Sequence, residues 1–363
     1  MIFHNSHAII LVIFFKEEGV IIKKRVTSTD VARLSGVSQT TVSFVLTGKE
    51  GTSISPETKA RILKAAAELG YKCPQRKKKK AVLTLGLMVP TLSNMYYPTL
   101  LQKIESEAHS RGIHVIIMDV QRDAKTESFY FDFIRRGIVD GIIVLFTPQM
   151  KIPAEYPVLI VSEYQDDLLT DMISLNSHRA GYILAEHLIQ QGHRKIAYIS
   201  TPFQNTTNAR KYRLDGLRDC LRDAGISDKI TVLAGTCERE HLDSSYEYDC
   251  GYSLTNQLLT SDSSATAIVA VNDATAAGCL AALRHAGKRV PEDIAVAGFD
   301  NLLLGKIVQP ELTTVDQMAG HAGCLALDML VRRLQGTDAD ELPVQMEYLP
   351  HLIVRASTLH KRL

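Results

Sequence analysis

The sequence predicts a two-part α/β chain: a small all-α headpiece built on a helix-turn-helix, then a larger body of two parallel, doubly wound sheets. Three observations predict it. Charge is segregated: Lys23 to Lys80 carries fourteen Lys/Arg against four Asp/Glu, although the whole chain sums to only +1. The segment Thr27–Tyr71 reads as short helices around a glycine turn. From Leu83 onward, apolar runs of four or five residues alternate with amphipathic stretches of ten or more.

The 363 residues suggest two or three domains. A composition of 45% hydrophobic and 22% charged residues excludes a disordered chain and a fibre. A compact basic module ahead of an acidic body suits a protein whose first part meets phosphate and whose second does not. The cysteines at 73, 220, 237, 250, 279 and 324 form no C-x-x-C pair and read as free thiols of a cytoplasmic chain. The apolar run Ala8–Phe15 is too short to span a bilayer, and no Lys or Arg precedes it. Lys16-Glu-Glu-Gly19 resembles a translated ribosome-binding site, which predicts a translation start near Val20–Ile22. The expected division is an extension outside the fold over 1–24, a helix-turn-helix domain over 25–73, a basic linker over 74–82 and the body over 83–363.

In the headpiece, Thr27 caps a first helix and Asp30 closes a capping box. Gly36 accepts a left-handed turn, and Ser38 caps a second helix over Gln39–Leu46. That helix turns Val42, Val45 and Leu46 inward and presents Gln39, Thr40, Thr41, Ser43 and Phe44 on its other face. A third helix opens at Ser55-Pro56 and stops at Gly70. Three-helix packing alone produces such periodicity. The absence of acid from the second helix and the module's charge favour a DNA reader. Its second helix would enter the major groove, where Gln pairs with adenine N6/N7 and Thr meets a base edge or the thymine methyl. The hydroxyls of Ser38, Thr41 and Ser43 suit phosphate oxygens. Thr27 joins this DNA-facing set, as do Arg76, Lys77 and Lys78 of the lysine-rich linker.

The order Asp30-Val-Ala-x-x-Ser-Gly36-Val-Ser-x-x-Thr41-Val-Ser-x-Val-Leu46, then Ser55-Pro-Glu-Thr and Glu68-Leu-Gly-Tyr71, resembles the headpiece of the lactose/galactose repressor (LacI/GalR) family. The resemblance implies that Gln39, Thr40 and Phe44 read bases. Many members have Arg or His where this chain has Phe44, and phenylalanine cannot donate to guanine. The linker departs from the family, which usually has a hinge helix with an intercalating leucine where this chain has lysines. Leucine intercalation and hinge folding are therefore not carried over.

In the body, each strand-like run precedes a helix-like stretch: 85–89 before 98–111, 115–118 before 125–136, 196–199 before 210–224, 268–271 before 274–286. Ligands in such folds bind beyond the carboxyl ends of strands. Tyr96-Tyr97, after the first strand, reads either as turn packing or as an aromatic platform. Asn272-Asp273, after the strand 268–271, reads either as a helix cap or as a hydroxyl-binding pair. Arg213 reads either as a solvated helix start or as a guanidinium facing vicinal hydroxyls. Arg213-x-x-Gly216, Asn272-Asp273-x-x-Ala276-x-Gly278, Val290-Pro-x-Asp-Ile-Ala-Val-Ala-Gly298-Phe-Asp300 and Pro310-x-Leu-Thr-Thr314 are similar to the same family's effector domain. That resemblance implies a two-lobed fold like periplasmic sugar-binding proteins. It implies an effector, with a sugar as the expected class, in a cleft lined by Tyr97, Arg213 and Asp273 with the position near Tyr246 stacking on it; the platform reading adds Tyr96 to this set. The crossings between lobes are expected near 175, 315 and 341, so that 83–175 and 315–340 form one lobe and 176–314 and 341–360 the other.

No G-x-S-x-G elbow, G-x-G-x-x-G, Walker loop or H-E-x-x-H occurs. The reading is a homodimeric, non-enzymatic regulator of operator DNA, a repressor by resemblance, with no cofactor, metal or membrane partner. The alternative is a solute-binding component of sugar uptake.

Overall fold

The computed structural model describes residues 10–13, 27–47, 54–69, 71, 82–153, 155–164, 170–203, 208–226, 230–236, 243–261, 264–336 and 342–359. The chain divides into two compact units, Phe15–Ala81 and the remainder.

The small unit holds three helices: α1 (Ser28–Ser35), α2 (Gln39–Thr47) and α3 (Pro56–Glu68). Local chemistry sets each boundary. Asp30 N–H donates to Thr27 Oγ1 while Thr27 N–H donates to Asp30 Oδ2, a complete capping box. Gly36 ends α1 at φ 67°, a conformation that costs a side-chain-bearing residue. Ser38 Oγ accepts from Thr41 N–H at the start of α2, and Ser55 Oγ accepts from Thr58 N–H ahead of Pro56. Val31, Ala32, Val42, Ile62, Ala65 and Ala66 form the core where the three helices meet.

The large unit contains two sheets. In the first the order is β1 (Ile10–Ile13), β12 (Gln345–Tyr348), β6 (Asp171–Leu175), β5 (Val158–Ser162), β4 (Gly141–Val144), β2 (Thr84–Val89) and β3 (His114–Asp119). In the second it is β13 (His351–Ile353), β11 (Thr313–Asp316), β10 (Ala295–Phe299), β9 (Ala267–Ala270), β7 (Ile196–Ser200) and β8 (Thr231–Ala234). Pairing is parallel except at β1 on β12 and β13 on β11. The central strands are buried throughout, because helices cover both faces of each sheet. On the first, α4 (Tyr96–Ser110) and α10 (Ala319–Gln335) pack Leu100, Ile104, Leu327 and Leu330 against one face. From the other face α5 (Ala124–Arg135) contributes Phe131. The second sheet is covered by α6 (Ser177–Gln190) with α7 (Ala209–Asp223), and by α8 (Tyr246–Thr260) with α9 (Asp273–His285).

The two helix pairs on the second sheet cross at backbone contact. A Cβ on Gly181 would collide with the Arg213 carbonyl oxygen, and one on Gly251 with that of Thr275. These glycines let α7 and α9 lie close to their partners, which sets where Arg213 and Asn272 emerge.

Two places differ from the sequence-based expectation. The chain passes between lobes after Leu175 and after Asp316, but the third passage falls between Tyr348 and His351, not near 341. The strand β12 belongs to the first sheet because its backbone pairs with β6 in register Met346 to Ile173. Ile10–Ile13, set outside the fold from sequence, forms an edge strand antiparallel to β12. Four consecutive branched apolar residues suit an extended edge.

Candidate functional site

Two candidate sites emerge, one in each unit. In the small unit Gln39, Thr40 and Ser43 are exposed on α2, while Thr41 and Phe44 are half-buried. The hydroxyls of Thr27, Ser38 and Thr41 are engaged in caps: Thr27 Oγ1 donates to Asp30 Oδ2 at 2.7 Å, and the hydroxyls of Ser38 and Thr41 pair at 2.8 Å. Gln39 Nε2 reaches back to Ser28 Oγ at 2.9 Å. No acidic residue lies in the first turn of α2. Arg76, Lys77 and Lys78 lie outside the described residues.

In the large unit a cleft with about 700 Å³ of open space lies between the lobes, at the carboxyl ends of the strands of both sheets. The first lobe contributes Asn94, Tyr96 and Tyr97 after β2, Arg122 after β3, Thr147 after β4, and Glu163 after β5. From the second come Arg210 and Arg213 on α7, Glu247 on α8, Asn272 after β9 and Asp300 after β10. Gln317 lies at the second passage between the lobes.

Tyr96 and Tyr97 pack edge to face, centroids 5.1 Å apart, and form an aromatic wall. Opposite them, the Arg213 guanidinium donates to the Val271 carbonyl, lies 3.5 Å from Asp300 Oδ1 and sits over the Phe299 ring at 4.5 Å. Its Nε is buried without a partner among the described residues. Asp300 stands at φ 102°, a region that non-glycine residues rarely occupy and that costs about 1–3 kcal/mol. Burial pushes its carboxyl above the usual range, while Arg213 opposes that shift. Glu247 Oε1 accepts from both Asn94 and Asn272 at 2.8 Å, a hydrogen-bonded link between the lobes.

Glu163 closes the floor. Ser177 donates to it from both backbone and side chain, and Ser177 Oγ also faces Gln317 Oε1. Burial pushes its carboxyl from 4.5 up to about 7, with the Ser177 hydrogen bonds and Arg213 opposing. The folded state thus holds this proton more tightly than the unfolded chain. The associated stability is complete below the unfolded value and is lost as pH rises through 7. Glu163→Gln stays neutral, and should raise the melting temperature by roughly 5 °C at pH 8 while changing it little at pH 5. Thermal melts at both pH values check this.

Of the sequence-predicted ligand residues, Tyr96, Tyr97 and Arg213 line the cleft. Asp273 does not: it is fully buried beneath it, with Oδ1 accepting from Thr314 Oγ1 at 2.6 Å and Oδ2 from Leu302 N–H at 2.8 Å. Tyr246 is also absent from the lining, and its neighbour Glu247 takes that place. Asn272, read from sequence as a helix cap or half of a hydroxyl-binding pair, caps α9 by accepting from Thr275 N–H and also lines the cleft. Sequence reasoning missed Asn94, Arg122, Glu163, Arg210, Glu247, Asp300 and Gln317. Strand-end position alone could have found Arg122, Glu163 and Asp300.

Comparison with known proteins places this geometry in context. Residues 27–73 match the family of bacterial regulatory proteins of the lacI type, and residues 185–358 match a periplasmic binding protein-like domain. The HTH-type transcriptional repressor PurR of Mannheimia succiniciproducens is 28% identical over 341 residues, covering 91% of this chain and 98% of that protein. A transcriptional regulator solved as a CelR–cellobiose complex superposes with TM-score 0.63 at 26% identity, covering 92% of this chain and all (100%) of the other. The lac repressor dimer bound to operator and the anti-inducer ONPF gives TM-score 0.64 at 26% identity, over 93% and 100% of the two chains.

Proposed function

The chain belongs to the lacI family of bacterial regulatory proteins, and we propose that it binds operator DNA through α2 and responds to a sugar held between its lobes. It is a DNA-binding transcriptional repressor with a small-molecule effector domain. The observation that carries the DNA reading is the exposed, acid-free amino end of α2, offering Gln39, Thr40 and Ser43 from a capped helix-turn-helix. A helix entering the major groove reads bases with such side chains.

The sugar reading rests on the chemistry of the cleft. An aromatic wall faces Arg213, Asp300 and Glu163, whose guanidinium and carboxyl groups suit the hydroxyls of a sugar. The cellobiose complex of a structural neighbour supports this class. The ligand closes the lobes and changes the spacing of two headpieces, which a homodimer presents to a near-palindromic operator. Such coupling is typically about 1–3 kcal/mol. Among the described residues no helix is long and apolar enough to cross a membrane. A cytoplasmic site of action is part of this proposal. A purely solute-binding role would leave the headpiece without use.

Gel-shift titration of the full chain against the DNA upstream of its own gene tests the reading. A specific shift that weakens steeply with salt is expected. Thermal melting against a panel of sugars tests the cleft: a ligand at 100 times its Kd adds about 2.7 kcal/mol to stability. Absence of any DNA shift at low salt would remove the regulator reading.

A further inference from the structure

We propose that Ser28 is a specificity-positioning residue for base readout: its hydroxyl holds the Gln39 amide in the orientation that reads one base. This rests on the DNA-binding role of α2. Ser28 is the first residue of α1 and Gln39 the first residue of α2. Eleven positions apart in sequence, they meet in a hydrogen bond from Gln39 Nε2 to Ser28 Oγ at 2.9 Å. Two neighbouring hydroxyls serve the helix caps: Thr27 closes the α1 capping box, and Ser38 caps α2 and pairs with Thr41. Ser28 is thus bonded directly to the side chain that faces a base.

A glutamine reads adenine through two groups together, an accepting Oε1 toward N6–H and a donating N–H toward N7. An unrestrained glutamine is rotamer-rich and loses that freedom on binding. Its amide is also free to turn end for end, exchanging donor and acceptor. Ser28 addresses both problems. It takes one amide hydrogen and leaves the second N–H and Oε1 for the base. The first helix of a helix-turn-helix crosses the phosphate backbone. There the Ser28 hydroxyl gives its proton to a phosphate oxygen. Its oxygen can then only accept, so it selects the NH2 end of the amide. A backbone contact is in this way converted into a directed base contact.

The test is selection of duplexes from a random pool by the full chain, with wild type, Ser28→Ala, Ser28→Val, Ser28→Thr and Gln39→Ala compared. The wild-type chain should prefer adenine at one position of each half-site, and Gln39→Ala should lose that preference. Ser28→Ala and Ser28→Val should reduce the preference at that position about 10-fold and leave the other positions unchanged. Ser28→Thr, which keeps the hydroxyl, should retain it. On a Gln39→Ala background, Ser28→Ala should change nothing at that base. Unchanged preference in both hydroxyl-deleting variants overturns the proposal. Equal weakening at every position also overturns it, since that marks a phosphate contact alone. A pool that the wild-type chain does not enrich removes the DNA reader itself, an outcome distinct from both.

Discussion

Arg213→Ala should lower the unfolding free energy of the body by about 3–5 kcal/mol, measured by urea denaturation. The size follows from what the guanidinium holds. It is 93% buried by its 7% exposure, and it joins the Val271 carbonyl at the end of β9 to Asp300 at the end of β10. It also covers the Phe299 ring at 4.5 Å. Truncation leaves Asp300, itself 7% exposed at the side chain, without its cation. Arg213→Lys keeps the charge but has no planar fork to span both partners and cover the ring, so an intermediate loss is expected. The pair should be strongly coupled. Asp300→Asn in the Arg213→Ala background removes the stranded charge and should recover at least about 1 kcal/mol relative to additivity. Additive losses would show that Asp300 does not depend on Arg213. In both single variants the stabilisation by any sugar found in the thermal screen should disappear.

The elements that set this site were legible to different degrees, for physical reasons. Helix starts marked by short-range chemistry could be read directly: Thr27 with Asp30, Ser38, and Ser55 before Pro56 all cap where the residue types said they would. Buried parallel strands were legible as uniform apolar runs, because both faces are covered. The strand β12 was not. It carries Gln345 and Glu347, and only its pairing with β6 reveals its lobe, which is a non-local fact. The ligand residues failed in another way. Asp273 was expected in the cleft where Asn272 stands, and Tyr246 where Glu247 stands. Both are one-residue shifts at a helix start. One residue is about 100° of helix rotation, enough to carry a side chain from a cleft into a core. The phase at which α8 and α9 begin comes from their packing at Gly251 and Gly278, which no local pattern states.

That shift changes what a substitution at Asp273 should do. Asp273→Ala should destabilise the body by about 2–4 kcal/mol, because it strands the buried Thr314 hydroxyl and Leu302 N–H that the carboxyl group now hydrogen-bonds. The loss should extend to DNA binding wherever the chain unfolds, instead of being confined to the effector response. Asp273→Asn separates the two roles. Burial, reinforced by Asp300, pushes the Asp273 carboxyl from 3.8 up to about 8, so the folded state keeps its proton at neutral pH. The wild-type contribution to stability is therefore complete below the unfolded value and is lost as pH rises through 8. An amide can accept from Leu302 N–H and donate to Thr314 Oγ1, so Asn should be tolerated near pH 7. At pH 9, where the wild-type carboxyl must ionise without water, the Asn variant should be the more stable chain in urea melts. Stabilisation by a cleft ligand should survive in Asp273→Asn and vanish in Asp300→Asn, since Asp273 braces Leu302 and Thr314 from below while Asp300 faces the ligand. Loss of that stabilisation in a well-folded Asp273→Asn chain would return Asp273 to the set of ligand contacts.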